Sequence, residues 1–123
     1  YDEARQCYRL AAEQGHAEAK YKLGNIYDKG LGVKIDYTEA AKWIHQAAHA
    51  GFAKAQFQLA QMHVNGEGVP QNYSDAVKWY KLAANQGHTK AQFQLGMLYK
   101  KGLGVAQDYA EATRWLKQSI GGE

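Results

Sequence analysis

The sequence predicts an all-α superhelix of stacked helix-turn-helix units, and three observations support this fold class. One block of residues recurs with a fixed period of 36 residues. Each copy contains two stretches of helical periodicity that are separated by a glycine-rich turn. No stretch shows the alternation that is typical of a strand. A period of this length indicates units that cannot bury their apolar faces alone and therefore stack on their neighbours.

The recurrence is carried by columns, which we define as the equivalent positions of successive units. Seven columns are invariant in three copies: Leu23, Gly30, Gly32, Val33, Tyr37, Ala40 and Trp43; Leu59, Gly66, Gly68, Val69, Tyr73, Ala76 and Trp79; Leu95, Gly102, Gly104, Val105, Tyr109, Ala112 and Trp115. Ala19, Ala55 and Ala91 form a further invariant column. The chain is thus interpreted as one domain, 1–123, in which 1–15 is the second helix of a partial unit and 16–51, 52–87 and 88–123 are full units.

The repeated pattern identifies a family. The stretch Ala19-x-x-x-Leu23-Gly24-x-x-Tyr27-x-x-Gly30-x-Gly32-Val33-x-x-Asp36-x-x-x-Ala40-x-x-Trp43-x-x-x-Ala47-Ala48-x-x-Gly51 resembles the Sel-one-like repeat (SLR) family, a relative of the tetratricopeptide repeats. The resemblance covers the whole chain. It implies a right-handed α/α superhelix, here of about seven helices, that acts as a protein-binding scaffold, and it names no partner.

The first helix of each unit is predicted from about Ala17 to Lys29, with a core face at Ala19, Leu23, Ile26 and Tyr27. Gly24 and Gly96 lie inside this helix, where Gly is about 1 kcal/mol less favourable than Ala, and the middle copy has Ala60. We expect a close approach of two helices there. The following turn, Gly30–Val33 in the first full unit, needs positive φ at one or both glycines, and its valine is expected to plug the hairpin.

The second helix is predicted to begin after a capping residue. Asp36, Asn72 and Asp108 fill this column, and an acidic residue follows three positions later in each unit, which is close to a capping box. Ala40, Trp43, Ile44 and Ala47 form its inward face. Gly15, Gly51 and Gly87 are expected to close these helices in the left-handed conformation. In the last unit, residues 119–123 depart from this ending, which indicates either a capping end or a boundary of the sequence. At the other end, the chain starts at Tyr1, in mid-repeat and without Met, which predicts that the natural N-terminus is missing.

Composition limits the function classes. A net charge of +3 and a pI near 8.9 are too mildly basic to indicate nucleic acid or an anionic membrane. No run approaches the ~18 apolar residues of a membrane span. We expect a soluble monomer, with the bacterial periplasm or cytoplasm as its compartment. The single cysteine excludes an intrachain disulfide and separates the chain from the cysteine-rich secreted branch of the family. Cys7 falls in the tryptophan column and is expected to be a buried structural thiol.

The candidate chemistry is weak. Gly30-x-Gly32 lacks the strand that precedes a phosphate-binding loop. His45 and His49 are spaced i, i+4 and could supply two metal ligands, but no third is evident and an outward polar face is favoured. Ser74 and Ser119 lie on unrelated helix positions, and the acidic residues near the second helices are explained as caps. No catalytic residue, cofactor or metal is predicted.

The remaining surface is the first-helix face opposite the core. By resemblance to tetratricopeptide-like superhelices it lines the concave side. The predicted partner-binding residues are Tyr21, Asn25, Asp28, Lys54, Phe57, Gln61, Lys90, Phe93, Met97, Lys100 and Lys101, with Glu18, Lys29, Val64 and Asn65 on the same face. The aromatic column at Tyr21, Phe57 and Phe93 has an equally good alternative, which is packing between adjacent helices.

A non-catalytic scaffold that binds a protein or peptide, with acidic residues near the lysines of the last unit, is therefore the leading hypothesis. The alternative is an RNA-binding helical repeat, although no continuous basic track is present and nucleic acid is not expected. A third hypothesis is a peptidoglycan- or lactam-active enzyme, by analogy with cysteine-rich relatives.

Overall fold

The computed structural model describes residues 2–30 and 34–121, and these residues form seven α-helices and no strand. The helices are α1 (Asp2–Glu13), α2 (Ala17–Lys29), α3 (Tyr37–His49), α4 (Ala53–Asn65), α5 (Tyr73–Asn85), α6 (Thr89–Lys101) and α7 (Tyr109–Gly121). Each helix packs on the next one along the chain, most extensively within the pairs α2 and α3, α4 and α5, and α6 and α7. The predicted helical solenoid is confirmed.

The caps explain where the second helices begin. Asp36 Oδ1, Asn72 Oδ1 and Asp108 Oδ1 each accept a hydrogen bond of 3.1 Å from the backbone N–H three residues later. The reciprocal half of a capping box does not form in α3. The Asp36 N–H donates instead to the Tyr27 carbonyl, and the Glu39 carboxylate accepts from Trp43 Nε1 at 3.1 Å. The cap therefore ties the two helices of a unit together as well as starting the second one.

The turn glycines adopt the predicted conformation. Gly30, Gly66 and Gly102 end the first helices with φ of 68°, 71° and 69°, and Gly68 and Gly104 are also left-handed. Gly68 lies against the backbone of Tyr37 in the preceding unit, where a Cβ atom has no room. The second glycine of the turn is thus required by unit stacking. The predicted plug at Val33 lies outside the described residues, and its equivalents Val69 and Val105 are partly buried against the core.

The core runs through the array between first and second helices. Leu23, Leu59 and Leu95 are fully buried, as is Ile44. The tryptophan column is also buried, at 6%, 5% and 3% exposure from the first to the third full unit. The inward face predicted for the second helix is therefore confirmed.

Gly24 marks the predicted close approach. A Cβ atom at this position would lie 2.6 Å from both Cγ1 and Cδ1 of Ile44 and 3.2 Å from the Ala40 carbonyl oxygen. At Gly96 the nearest atom would be Leu116 Cγ at 2.9 Å. In the middle unit Ala60 is fully buried, and Tyr80 holds the column of Ile44 and Leu116. The close approach of the two helices therefore recurs at both glycines.

The prediction for Cys7 is wrong, because Cys7 is exposed. Trp43, in the same column, is covered by Leu23 and Ile26 of the preceding first helix. Among the described residues no first helix precedes α1, so the side of α1 that carries Cys7 faces solvent. Column membership predicts burial only where the covering helix is present.

Candidate partner-binding groove

An open depression of about 730 Å³ runs across the first helices. We call it the groove. It is formed mainly by α2, α4 and the first turn of α6, which are the equivalent helices of successive units. Its lining residues are Tyr21, Asn25, Asp28, Lys29, Lys54, Phe57, Gln58, Gln61, Met62, Asn65, Glu67, Gly87, His88, Thr89 and Lys90.

A second depression of about 410 Å³ adjoins the groove and shares four of its residues, and we call it the end depression. The shared residues are Phe57, Gln61, Thr89 and Lys90, and the added residues are Phe93, Gln94, Ser119 and Ile120. The two depressions together form one surface that crosses three full units.

Eight of the predicted partner-binding residues line this surface: Tyr21, Asn25, Asp28, Lys54, Phe57, Gln61, Lys90 and Phe93. Met97 is partly buried, Lys100 and Lys101 are exposed, and these three line neither depression. They lie toward the C-terminal half of α6, whereas the surface follows the N-terminal half of that helix.

The aromatic column combines the two roles that the sequence leaves open. The Tyr21 ring packs on Phe52 with 5.2 Å between ring centroids. Phe57 stacks on His88 at 4.7 Å and contacts Tyr80 at 5.7 Å. Both rings are only partly buried and still line the groove. Tyr21 and Phe57 therefore each pack on the N-cap residue of the next first helix and offer their remaining surface to the groove.

Phe93 differs from its equivalents. Its side chain is 47% exposed, and no aromatic contact to it is found among the residues that the structure describes. Tyr21 and Phe57, by contrast, are each partly covered by a ring of the following unit. Phe93 is consequently the most accessible aromatic ring of the column.

Charge is distributed across the width of the groove. Lys54 and Lys90 lie in the first turns of α4 and α6, whereas Asp28 lies in the last turn of α2. Burial, together with the nearby Glu67 carboxylate, raises the pKa of Asp28. At the opposite side, burial and then Lys90 and Lys54 lower the pKa of His88. The edge that carries Lys54 and Lys90 is therefore basic, and the edge that carries Asp28 and Glu67 is net acidic although Lys29 also lines it.

Glu67 is the groove residue of most consequence that the sequence prediction missed. It lies in the turn after α4, and its Oε1 accepts a hydrogen bond of 2.9 Å from Asn65 Nδ2. The sequence does distinguish Glu67, because Leu31 and Leu103 fill the same column in the other units and Glu67 alone is polar. Restricting the prediction to helix faces excluded this turn position.

Ser119 Oγ donates to the Leu116 carbonyl of its own helix at 2.7 Å. Within residues 2–30 and 34–121, no group of three or more His, Cys, Asp or Glu residues is placed to hold a metal ion. The helices in these ranges are also too short and too polar for any of them to cross a lipid bilayer.

Comparison with known proteins places these features in context. The family model of the Sel1 repeat matches residues 1–16, 17–52, 53–88 and 89–120. A protective antigen present in uropathogenic Escherichia coli strains, which displays an SLR fold, superposes with a TM-score of 0.91 at 40% identity over 94% of this chain and 25% of that one. A Sel1 repeat protein from Oxalobacter formigenes superposes with a TM-score of 0.85 at 36% identity over 96% of this chain and 51% of that one. The chain thus spans about a quarter and about half of these two structures. A search of proteins with curated function gave no match.

Proposed function

Since the chain belongs to the Sel1 repeat family, whose members are typically protein-interaction scaffolds, we propose that it is a non-catalytic scaffold that binds a partner protein or peptide in the groove. The observation that carries this proposal is the concave surface built from equivalent first helices. A surface of this kind can accommodate an extended segment, because each unit presents similar side chains at a regular spacing.

The aromatic rings supply the apolar part of recognition. Phe57 is held between Tyr80 and His88, so its orientation is fixed before a partner arrives. A preorganised ring loses little conformational freedom on binding, and aromatic anchors supply much of the affinity at protein interfaces. Phe93 extends this apolar surface into the end depression. We assign the apolar side chains of the partner to Phe57 and Phe93.

The amides and charges supply orientation. Asn25 and Gln61 occupy one column on the first helices of successive units, and both can bond to the backbone of an extended chain. Acidic groups of the partner are assigned to the edge that carries Lys54 and Lys90. This assignment differs from the sequence-based expectation of acidic residues beside Lys100 and Lys101, because those two lysines line neither depression.

The test is selection of binders from a peptide library displayed on phage, using the immobilised chain. Gln61→Arg places a long charged side chain at a position that lines both depressions. Because Gln61 is exposed in the free protein, we expect this variant to retain the fold. The matched control is Asn85→Arg, at an exposed residue outside both depressions. Peptides enriched on the wild type should bind the Asn85 variant equally and should lose binding to the Gln61 variant.

Equal binding to all three proteins would place the interaction outside the groove. A second arm measures single-stranded RNA against the same variants. Tight RNA binding that falls steeply with salt, without any selected peptide, would overturn the proposal in favour of the nucleic-acid alternative. Lys100→Glu combined with Lys101→Glu should leave peptide binding unchanged.

A further inference from the structure

Two histidines on the second-helix side of the array have a geometry that the groove does not use. His45 and His49 lie one turn apart on α3, and their Nε2 atoms are 3.2 Å apart. Both side chains are exposed. A metal ion bonded to both nitrogens at about 2.0–2.1 Å would subtend an N–metal–N angle of about 100–106° at this separation, close to the tetrahedral value.

The ring orientation is set by a residue of the next unit. Trp79 on α5 meets the edges or faces of both imidazoles, with centroid distances of 5.9 Å to His45 and 5.1 Å to His49. The two rings are themselves 4.3 Å apart. Because Trp79 is only 5% exposed, it is a fixed support for them. The i, i+4 spacing permits a shared ligand, and this packing holds the two nitrogens in position for one.

We propose that His45 and His49 form a binding site for a divalent first-row transition-metal ion, with the two Nε2 atoms as its protein ligands. Neutral imidazole is the form that binds a metal, and the ions that favour nitrogen ligands are nickel, copper and zinc rather than magnesium or calcium. The remaining coordination positions are open to water, since the described residues contain no cluster of three or more metal-binding side chains. A bound ion should therefore exchange readily with solution, and the site does not depend on the groove proposal.

The surrounding charges affect the strength of this site. Burial, and then His49, His63 and Lys78, lower the pKa of His45. The ammonium of Lys78 is one of these charges, and it opposes a second cation at the site. The equivalent pairs in the other units, Arg9 with Glu13, Lys81 with Asn85 and Lys117 with Gly121, contain no histidine. The site is confined to one unit.

The experiment titrates the protein with Ni²⁺ in calorimetry and monitors tryptophan fluorescence. We expect one ion per chain, quenching of the Trp79 emission because both rings lie against that indole, and reversal by chelator. His45→Gln and His49→Gln should each weaken binding by about tenfold or more, since loss of a ligand costs at least as much as loss of the group that orients it. Mg²⁺ should give no signal.

The control is His63→Gln, on α4. His63 Nδ1 lies 3.3 Å from the Pro70 carbonyl oxygen, and the two-ligand assignment gives it no bond to the metal. This variant should leave Ni²⁺ affinity at pH 7.5 unchanged. A large loss of affinity in this variant, or undiminished binding in the double variant His45→Gln with His49→Gln, would overturn the site. Absence of any Ni²⁺ binding to the wild type would do the same.

Discussion

Replacing Gly24 by Ala sets two opposing effects against each other inside one helix. Gly24 lies in the middle of α2, where Ala is about 1 kcal/mol more favourable than Gly. The added methyl group, however, would lie 2.6 Å from two carbons of Ile44, which is fully buried and β-branched. Its other neighbour is the Ala40 carbonyl oxygen at 3.2 Å, which belongs to the backbone and cannot rotate away.

The overpacking cost is expected to exceed the propensity gain. Inserting a methyl group into a well-packed core costs about 1–3 kcal/mol, so the net destabilisation should be about 1 kcal/mol, with about 2 kcal/mol as its upper end. Gly96→Ala serves as the matched comparison, because its backbone neighbour, the Ala112 carbonyl oxygen at 3.1 Å, is equivalent, whereas Leu116 is only partly buried, is not branched at Cβ and can move. That variant should be less destabilised than Gly24→Ala.

Urea unfolding followed by far-ultraviolet circular dichroism measures both changes. A double-mutant cycle identifies the cause. Ile44→Ala alone should cost about 2–5 kcal/mol, and the coupling energy with Gly24→Ala should be about 1–3 kcal/mol in the stabilising direction, since the new methyl group then enters the vacated space. If Gly24→Ala stabilises the protein as much as helix propensity alone predicts, the close approach of α2 and α3 is not a constraint.

Three further predictions concern other parts of the array. Trp79→Ala should cost about 3–5 kcal/mol and reduce cooperative melting more than Trp115→Ala, because the middle unit has a full unit on each side; equal melting temperatures for Trp79→Ala and the wild type would contradict this. Lys54→Glu combined with Lys90→Glu should slow peptide association in a salt-dependent manner with little change in dissociation, as surface plasmon resonance can measure. The pKa of His88 is lowered in the folded state, because the folded protein favours the neutral imidazole. The contribution of His88 to the free energy of unfolding is therefore complete above about pH 6.5 and falls as the pH drops toward the folded pKa. Chemical denaturation at several pH values should show a shallower acid decline for His88→Gln than for the wild type.

The periodicity of the sequence predicted the helices accurately because each of their determinants is local. Asp36 caps α3 through the N–H of a residue three positions away, and Gly30 ends α2 through its own φ of 68°. The core face of Leu23 and Ile26 follows from helical spacing. None of these features needs knowledge of which distant residues are neighbours.

The groove was predicted in part. Tyr21, Phe57 and Phe93 share a column and could not be distinguished by sequence, yet Phe57 is stacked on His88 and Phe93 is 47% exposed. The difference arises from contacts between units, which a column does not encode. Glu67 reaches the groove from a turn, a position that helix periodicity does not describe.

The sequence by itself determined a repeat of capped helix pairs with a leucine and tryptophan core, because these features depend on residues close in the chain. Only the tertiary structure decided that Cys7 is exposed, because its burial required a covering helix that the described residues do not provide. Only the tertiary structure placed the Trp79 indole against the rings of both His45 and His49, because that residue belongs to the next unit. Stacking between units therefore fixes which surface each unit exposes, because that surface depends on contacts with residues one repeat away.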